Sequence, residues 1–172
     1  MQHSLELYTS RLILIGADST LLVAERSSQQ AFAAAIQASV PSTWPPEHHD
    51  KDVIEWVLRS LKFLVPGKPW NMYYIVLGAP RTVIGTCGFK GPPDVNGCVE
   101  VGYSVVPEFR GSGLATEALK KLISTAFDAG ASEVAAETYP SLTPSLRVME
   151  KCGMALKGAG ADPGAVRYAI TR

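Results

Sequence analysis

The run VEVGYSVVPEFRGSGLATEALKKLI occupies residues 99–123 and passes from a strand-like pattern into a helical one through a turn with two glycines. Gly111 and Gly113 carry no side chain, so backbone amides at the turn can approach a bound group closely. The first N–H groups of a helix have no internal partner, and the helix dipole favours negative charge there. With Arg110 adding a cation, this turn predicts a cradle for a phosphate or pyrophosphate.

Two other phosphate-binding loops do not fit this turn. A nucleotide triphosphate loop would end in Gly-Lys-Ser/Thr, which is absent here. A dinucleotide fingerprint would need a third glycine or alanine at position 116, which is Thr116 here. It would also need a parallel βαβ unit near the start of the fold, where this sequence instead predicts antiparallel hairpins. A Gly-x-Gly turn without these features is not specific, because many such turns only begin a helix.

The segments before this run read as antiparallel strands. Three segments are either mostly apolar or alternate between apolar and polar residues, as strands do, and short connections make them antiparallel neighbours. They are MYYIVL (72–77), TVIGTCGF (82–89) and CVEVGYSVV (98–106). An apolar stripe from Leu114 to Ala126 predicts a helix, and EVAAETY (133–139) can return parallel to the strand before that helix.

The ends of the chain complete the layout. Leu5–Ile15 predicts a first strand, Ser19–Ser39 one or two helices, and Asp50 or Asp52 can cap a further helix. Thr143–Cys152 predicts a short helix, with Thr143 as its N-cap, that Gly153 closes. Residues 154–156 and 166–170 can form a terminal hairpin. We therefore expect an α+β fold with a mixed, mostly antiparallel central sheet flanked by helices.

Length and composition limit the possible functions. The 172 residues fit a single domain spanning residues 1–172, and the formal net charge of zero gives no reason to expect nucleic acid or an anionic membrane as partner. Neither a secretory signal nor a bilayer-spanning segment is predicted. Cys87, Cys98 and Cys152 lack metal-ligand spacing and are expected to be reduced and mostly buried, as in a cytoplasmic protein. No metal is expected.

The glycine turn and its surroundings resemble a known family. Arg110-x-x-Gly113-x-Ala115, preceded by Val106-Pro107 and followed by Thr116-Glu117-Ala118, resembles the acetyl-CoA signature of the GCN5-related N-acetyltransferases (GNAT). The phrases TSRLIL (9–14), VIG (83–85) and EVGY (100–103) resemble the RimJ/RimL-like branch, which acetylates ribosomal-protein N-termini and various small amines. The similarity covers nearly the whole chain in the right order.

This resemblance implies a binding mode for acetyl-CoA. The loop backbone would hold the pyrophosphate, the end of the third strand of the run would pair with the pantetheine arm, and the amide near Val105 would face the thioester carbonyl. The implied cofactor-binding residues are Ser104, Val105, Val106, Arg110, Gly111, Ser112, Gly113, Leu114, Ala115 and Ser145.

The chemistry needs a neutral amine, whereas a free alkylamine has a pKa near 10.4. Glu100 is the first candidate for the base that removes the proton, directly or through water, and Glu137 is the second. Either glutamate can instead be a solvated strand residue. The departing thiolate benefits from a proton donor, which many members of the family supply as a tyrosine on the helix after the last parallel strand. Here that position is Met149, which cannot donate a proton, and the family's usual asparagine near the start of that helix is replaced by Leu142. Ser145 is therefore the candidate there, although it also suits the start of a helix.

The amine acceptor is harder to predict. Trp44 and Tyr103 are candidate substrate-binding residues, and His48 and His49 lie in the same loop as Trp44. Tyr73 and Tyr74 are expected to be packed strand aromatics. We expect an acetyl-CoA-dependent N-acetyltransferase, monomeric or homodimeric, that acts on a peptide N-terminus or a small-molecule amine. The alternatives are an acyl-CoA-binding module without turnover and an enzyme that prefers a larger acyl group.

Overall fold

A computed structural model describes residues 5–172. The strands are β1 Glu6–Tyr8, β2 Leu12–Gly16, β3 Met72–Gly78, β4 Arg81–Phe89, β5 Cys98–Val105, β6 Glu133–Thr138, β7 Ala155–Ala159 and β8 Val166–Thr171. The α-helices are α1 Ser19–Ser27, α2 Gln29–Ile36, α3 Lys51–Ser60, α4 Leu114–Asp128 and α5 Thr143–Lys151. Within the described residues no helix is long and apolar enough to cross a membrane.

The strands form one sheet in the order β1-β2-β3-β4-β5-β6-β8-β7. β5 and β6 are parallel and are joined through α4, whereas the other neighbouring strands are antiparallel. This confirms the predicted α+β class, the mixed sheet and the parallel return after the long helix. The terminal hairpin also forms, with β8 lying between β6 and β7.

Two apolar clusters hold the helices on the sheet. The first includes Leu119 and Leu122 of α4 and Met149 of α5, packed on the odd-numbered side chains of β5. The second includes Leu22 of α1 and Phe32 of α2, packed on the opposite face. Both faces of the sheet are therefore covered, which explains the nearly continuous apolar runs in its central strands.

Two local features differ from the sequence prediction, and a third, the number of helices in 19–39, is one of the two alternatives that it left open. The expected single strand Leu5–Ile15 is a hairpin, because Thr9 turns the chain by donating its N–H to the carbonyl of Leu12 at 3.0 Å. The region 19–39 holds two helices, which Ser28 separates as the C-cap of α1 and the N-cap of α2. Helix α5 already includes Thr143, so the N-cap is Leu142, without a capping side chain, and the predicted Thr143 cap is wrong.

Other helix ends agree with the sequence. Asp50 caps α3 by accepting hydrogen bonds from the N–H groups of Asp52 and Val53, each at 3.0 Å. Gly153 follows α5 with φ +81°, the left-handed conformation expected after a helix. The sequence therefore predicts correctly where α3 begins and where α5 ends.

Candidate active site

The parallel strands β5 and β6 separate partway along their length. They pair at Cys98–Glu133, Val99–Val134 and Glu100–Ala135, and no pairing between them follows among the described residues. β5 continues to Val105 paired with β4 alone, and β6 continues to Thr138 paired with β8 alone. A wedge-shaped gap therefore opens beyond Glu100 in the middle of the sheet.

The main chain of β5 faces this gap at alternate residues. The N–H of Val106 donates to the carbonyl of Ile84 at 2.9 Å, and the N–H of Lys90 donates to the carbonyl of Glu100 at 2.9 Å. Even-numbered residues of β5 thus turn their main-chain groups to β4. Because the direction alternates, Tyr103 and Val105 turn theirs towards the gap.

The glycine turn lies where β5 leaves the sheet. Gly111 and Gly113 have φ +79° and +78°, a conformation that side chains disfavour, and a Cβ on Gly111 would meet no atom within 4 Å. Gly113 is the N-cap of α4 and supplies no capping side chain. The first N–H groups of α4 therefore have no intrahelical partner and are available to an anion at the open end of the gap.

Arg110 joins this turn to the loop between α2 and α3. Its Nε donates to the carbonyl of Val105 at 2.7 Å, and its Nη2 lies 3.3 Å from Glu47. Thr43 of the same loop donates a hydrogen bond to Glu108. The predicted acceptor loop and the predicted cofactor loop are thus in direct contact.

Glu100 is the last residue of β5 that pairs with β6, so its side chain lies at the closed end of the gap. Its carboxylate forms an ion pair with Lys90 and lies 3.9 Å from Arg167. Arg167 also pairs with Glu137 at 3.0 Å. The structure therefore brings both candidate bases to one guanidinium.

Glu137 is the more firmly held of the two glutamates. Its carboxylate accepts hydrogen bonds from the N–H of Ala161 at 2.8 Å and from Arg167. The Ala161 hydrogen bond, opposed by partial burial and assisted by Arg167, lowers the pKa of Glu137. This carboxylate is occupied in joining β6 to the β7–β8 connection.

Ser145 of α5 and Tyr103 of β5 contact each other beside the gap. The Tyr103 hydroxyl lies 3.1 Å from Ser145 Oγ and 3.1 Å from the Ser145 carbonyl oxygen. Met149, one turn later on α5, is buried in the core. Two residues predicted for different roles, a thiol contact and a substrate contact, therefore form one hydrogen-bonded pair.

Trp44 belongs to a buried polar cluster rather than to an open wall. Its indole Nε1 donates to Glu25 at 2.9 Å, and Glu25 is also bonded to His49 Nε2 at 2.9 Å and to the Tyr74 hydroxyl at 2.6 Å. His49 is buried and His48 is exposed. Burial, and then the negative charge of Glu25, raise the pKa of Tyr74, which remains a hydrogen-bond donor.

Sequence reasoning missed several of these contacts. Glu25 follows Leu21 and Leu22 at helical spacing, which places it on the buried face of α1 and could have identified it. Arg167 and Glu47 had no comparable signal, because their partners depend on tertiary contacts. No set of three or more His, Cys, Asp or Glu side chains in residues 5–172 is arranged to hold a metal ion.

The three cysteines are free thiols, of which Cys87 and Cys152 are buried and Cys98 is half-buried. Burial raises the pKa of Cys87, and it raises that of Cys152 to about 11. Burial and the adjacent Glu133 also raise the pKa of Cys98. These thiols are therefore weak nucleophiles at neutral pH.

Comparison with solved structures identifies the fold. RimL, a ribosomal L7/L12 alpha-N-protein acetyltransferase, superposes with a TM-score of 0.68 at 17% identity, covering 98% of this chain and 95% of RimL. The microcin C7 self-immunity acetyltransferase MccE, solved with acetyl-CoA and AMP, gives 0.64 at 18% identity, covering 95% and 94%. At these identities the likeness concerns the fold.

Sequence comparison identifies the family. An uncharacterized N-acetyltransferase of Bacillus subtilis, YjdG, is 28% identical over 160 residues, or 91% of this chain and 93% of its own length. The uncharacterized N-acetyltransferase p20 of Bacillus licheniformis is 33% identical over 89 residues, so the match spans half the length of each. The family model described as an acetyltransferase (GNAT) domain matches residues 19–155. This chain therefore belongs to the GNAT acetyltransferases, as its glycine turn and divided sheet indicate.

Proposed function

We propose that the protein is an acetyl-CoA-dependent N-acetyltransferase that transfers the acetyl group to a primary amine by direct attack. The observation that carries the proposal is the gap between β5 and β6, which opens towards the uncapped start of α4. One end offers N–H groups to a diphosphate, and the length of the gap offers main-chain groups to an extended amide-containing arm.

The cofactor would lie along this gap, from the glycine turn at its open end to Glu100 at its closed end. The backbone of residues 110–115 binds the pyrophosphate, and the end of β5, Ser104 to Val106, pairs with the pantetheine arm. The Val105 N–H lies on the same side of the strand as the carbonyl that Arg110 binds, and it donates to the thioester oxygen as negative charge develops there. Ser145 flanks the sulfur.

Glu100 is proposed as the general base. It lies at the closed end of the gap, where an amine must meet the thioester carbon. Both carboxylates have partners, Glu100 in Lys90 and Glu137 in Ala161 and Arg167, but the Glu100 side chain is 27% exposed against 12% for Glu137, so Glu100 is the more accessible to an amine or a water. Glu100 removes the proton from the ammonium, directly or through water, before the amine attacks.

Direct attack is favoured over an acyl-enzyme route because no thiol suits that route. The pKa values of Cys87, Cys98 and Cys152 are all raised, so each is protonated at neutral pH. A ping-pong mechanism would instead require an activated nucleophile.

The acceptor is proposed to be a peptide N-terminus or a small-molecule amine, as the RimL-like fold suggests. Trp44 shapes its site by fixing the loop 41–50, while Tyr103 borders the gap. The proposed location is the cytoplasm, and the proposed assembly is a monomer or homodimer.

A thiol-release assay over a panel of amines and peptides tests the function. We expect release of coenzyme A that depends on the amine and an N-acetylated product by mass spectrometry. Binding of intact acetyl-CoA without release for any amine would support the alternative, a binding module without turnover. Faster release from succinyl-CoA than from acetyl-CoA would support the larger acyl group.

A further inference from the structure

The hydroxyl of Tyr103 joins strand β5 to helix α5, beside the gap between β5 and β6. Tyr103 lies on the part of β5 that has separated from β6, and its hydroxyl meets both oxygen atoms of Ser145 at 3.1 Å, 42 residues away. This contact joins β5 to α5 beside the gap, so it adjoins the proposed path of the pantetheine arm.

The surroundings keep Tyr103 a neutral donor. Burial raises the pKa of its phenol to about 12, although the hydrogen bond to Ser145 acts in the opposite direction. Ser145 is itself half-buried, so part of its surface remains accessible. Met149, on the next turn of the same helix, is buried and has no proton to donate.

In one arrangement of the Tyr103 and Ser145 hydroxyls, Tyr103 is the donor and the hydrogen of Ser145 is left for another acceptor. Each hydroxyl has one hydrogen to donate and two lone pairs that accept. The phenol hydrogen can go to the Ser145 carbonyl or to Ser145 Oγ, and when Tyr103 donates it to Oγ the hydrogen of Ser145 is free to point into the gap. Without the phenol hydroxyl, no other hydrogen-bond partner among residues 5–172 fixes the direction of the Ser145 hydroxyl.

We propose that Tyr103 is a positioning residue that aims the Ser145 hydroxyl at the sulfur of departing coenzyme A. This rests on the proposed function. As the C–S bond of the tetrahedral intermediate breaks, its electron pair goes to sulfur, and the Ser145 O–H donates a hydrogen bond to the thiolate. Tyr103 transfers no proton in this step, and solvent protonates the free thiolate afterwards.

The experiment compares Tyr103→Phe, Ser145→Ala and the double variant by steady-state kinetics and by calorimetric binding of acetyl-CoA. Tyr103→Phe is expected to lower kcat about tenfold, the value of one hydrogen bond, and to leave the KM and Kd for acetyl-CoA within about twofold. The double variant is expected to match Ser145→Ala, because Tyr103 acts through Ser145. Ser145→Thr, which keeps a hydroxyl, is expected to retain sensitivity to Tyr103→Phe.

Tyr168→Phe, a matched change on β8 outside the site, is expected to leave kcat unchanged. Full kcat in Tyr103→Phe, a double variant whose loss is the product of the single losses, or a weaker Kd that accounts for the loss would each overturn the role of Tyr103. If Tyr103→Phe does not fold, full kcat in Ser145→Ala overturns it equally. A wild-type protein that binds acetyl-CoA but acetylates no amine overturns the proposed function as well.

Discussion

Arg11 and Glu117 join the turn between β1 and β2 to the first turn of α4. Arg11 Nε lies 2.6 Å from Glu117 Oε2, and Arg11 Nη1 donates to the carbonyl of Ser112 at 3.0 Å. Glu117 Oε1 also accepts hydrogen bonds from Thr9 at 2.6 Å and Ser10 at 3.0 Å. The segment Thr9-Ser10-Arg11 thus holds the proposed pyrophosphate loop in place through Ser112 and Glu117.

Glu117→Gln is expected to lower the stability of the folded protein at neutral pH and to make that stability less dependent on pH in the acid range. Partial burial acts to raise the pKa of Glu117, but the hydrogen bonds from Thr9, Arg11 and Ser10 outweigh it and lower the pKa from 4.5 to about 2. Because the folded pKa is depressed, the stabilisation is present above 4.5 and is lost as the pH falls towards 2. The variant should lose a few degrees in Tm at pH 7, measured by calorimetry.

The same variant should show a flatter dependence of Tm on pH in that acid range. Glu55→Gln offers a control, because Glu55 pairs with Arg26 at the surface and an exposed pair contributes about 0–1 kcal/mol. Its dependence of Tm on pH should stay close to that of the wild type. An equal acid dependence in Glu117→Gln and the wild type would contradict the role assigned to this carboxylate.

Gly111→Ala is expected to weaken acetyl-CoA binding by about tenfold or more, or about 1.4 kcal/mol. The residue has φ +79°, and a side chain there both strains the turn and obstructs close approach by a diphosphate. Gly67 has φ +76° and, like Gly111, no atom within 4 Å of an added Cβ, which makes Gly67→Ala a matched control for backbone strain.

Both variants should lose a similar amount of stability, about 1–2 kcal/mol. Only Gly111→Ala should bind acetyl-CoA more weakly by calorimetry. If the two variants bind the cofactor equally well, the glycine turn does not contact it.

Much of this arrangement follows from local sequence patterns. The glycine turn, the helix after it and the strand before it combine period-two and helical patterns with a specific turn, and all three lie where they were expected. The hairpin at Thr9 was missed because LILIG continues the apolar run, whereas the turn, closed by the Thr9–Leu12 hydrogen bond, is also held by hydrogen bonds to a distant glutamate, Glu117.

Side-chain partners could not be predicted in the same way. The pairing of Tyr103 with Ser145 requires knowing how far β5 has separated from β6, which depends on the whole sheet. Likewise, Arg167 meets Glu100 and Glu137 because β8 inserts beside β6, although β7 precedes β8 in the chain.

Glu100→Gln is expected to lower kcat/KM about 100-fold or more, the usual effect of losing a general base. The loss should shrink as the pH rises, because the amine then deprotonates without assistance. Rates of thiol release between pH 6 and 10 measure this. Glu137→Gln, the same change on the neighbouring strand, should retain the wild-type pH profile.

The opposite result, with Glu137→Gln altering the profile and Glu100→Gln leaving it intact, would assign the base to Glu137. Both variants share contact with Arg167, so their Tm values must be compared first. A loss of activity that only follows a loss of folded protein would not count as loss of a base.

Glu25→Gln is expected to destabilise the protein by about 1.5–3 kcal/mol. The carboxylate accepts from Trp44, His49 and Tyr74, whereas an amide has one accepting oxygen and presents N–H groups to the remaining donors. In a chain of this size the loss corresponds to a fall in Tm of several degrees.

Glu55→Gln provides the matched control, because Glu55 lies on the exposed side of α3 and pairs only with Arg26 among the described residues. It should change stability by less than about 0.5 kcal/mol. Since the Glu25 cluster also fixes the loop that contacts Arg110 and Glu108, Glu25→Gln should raise the KM for the acceptor more than it lowers kcat. An unchanged acceptor KM together with a lowered Tm would show that this cluster serves the fold without shaping the acceptor site.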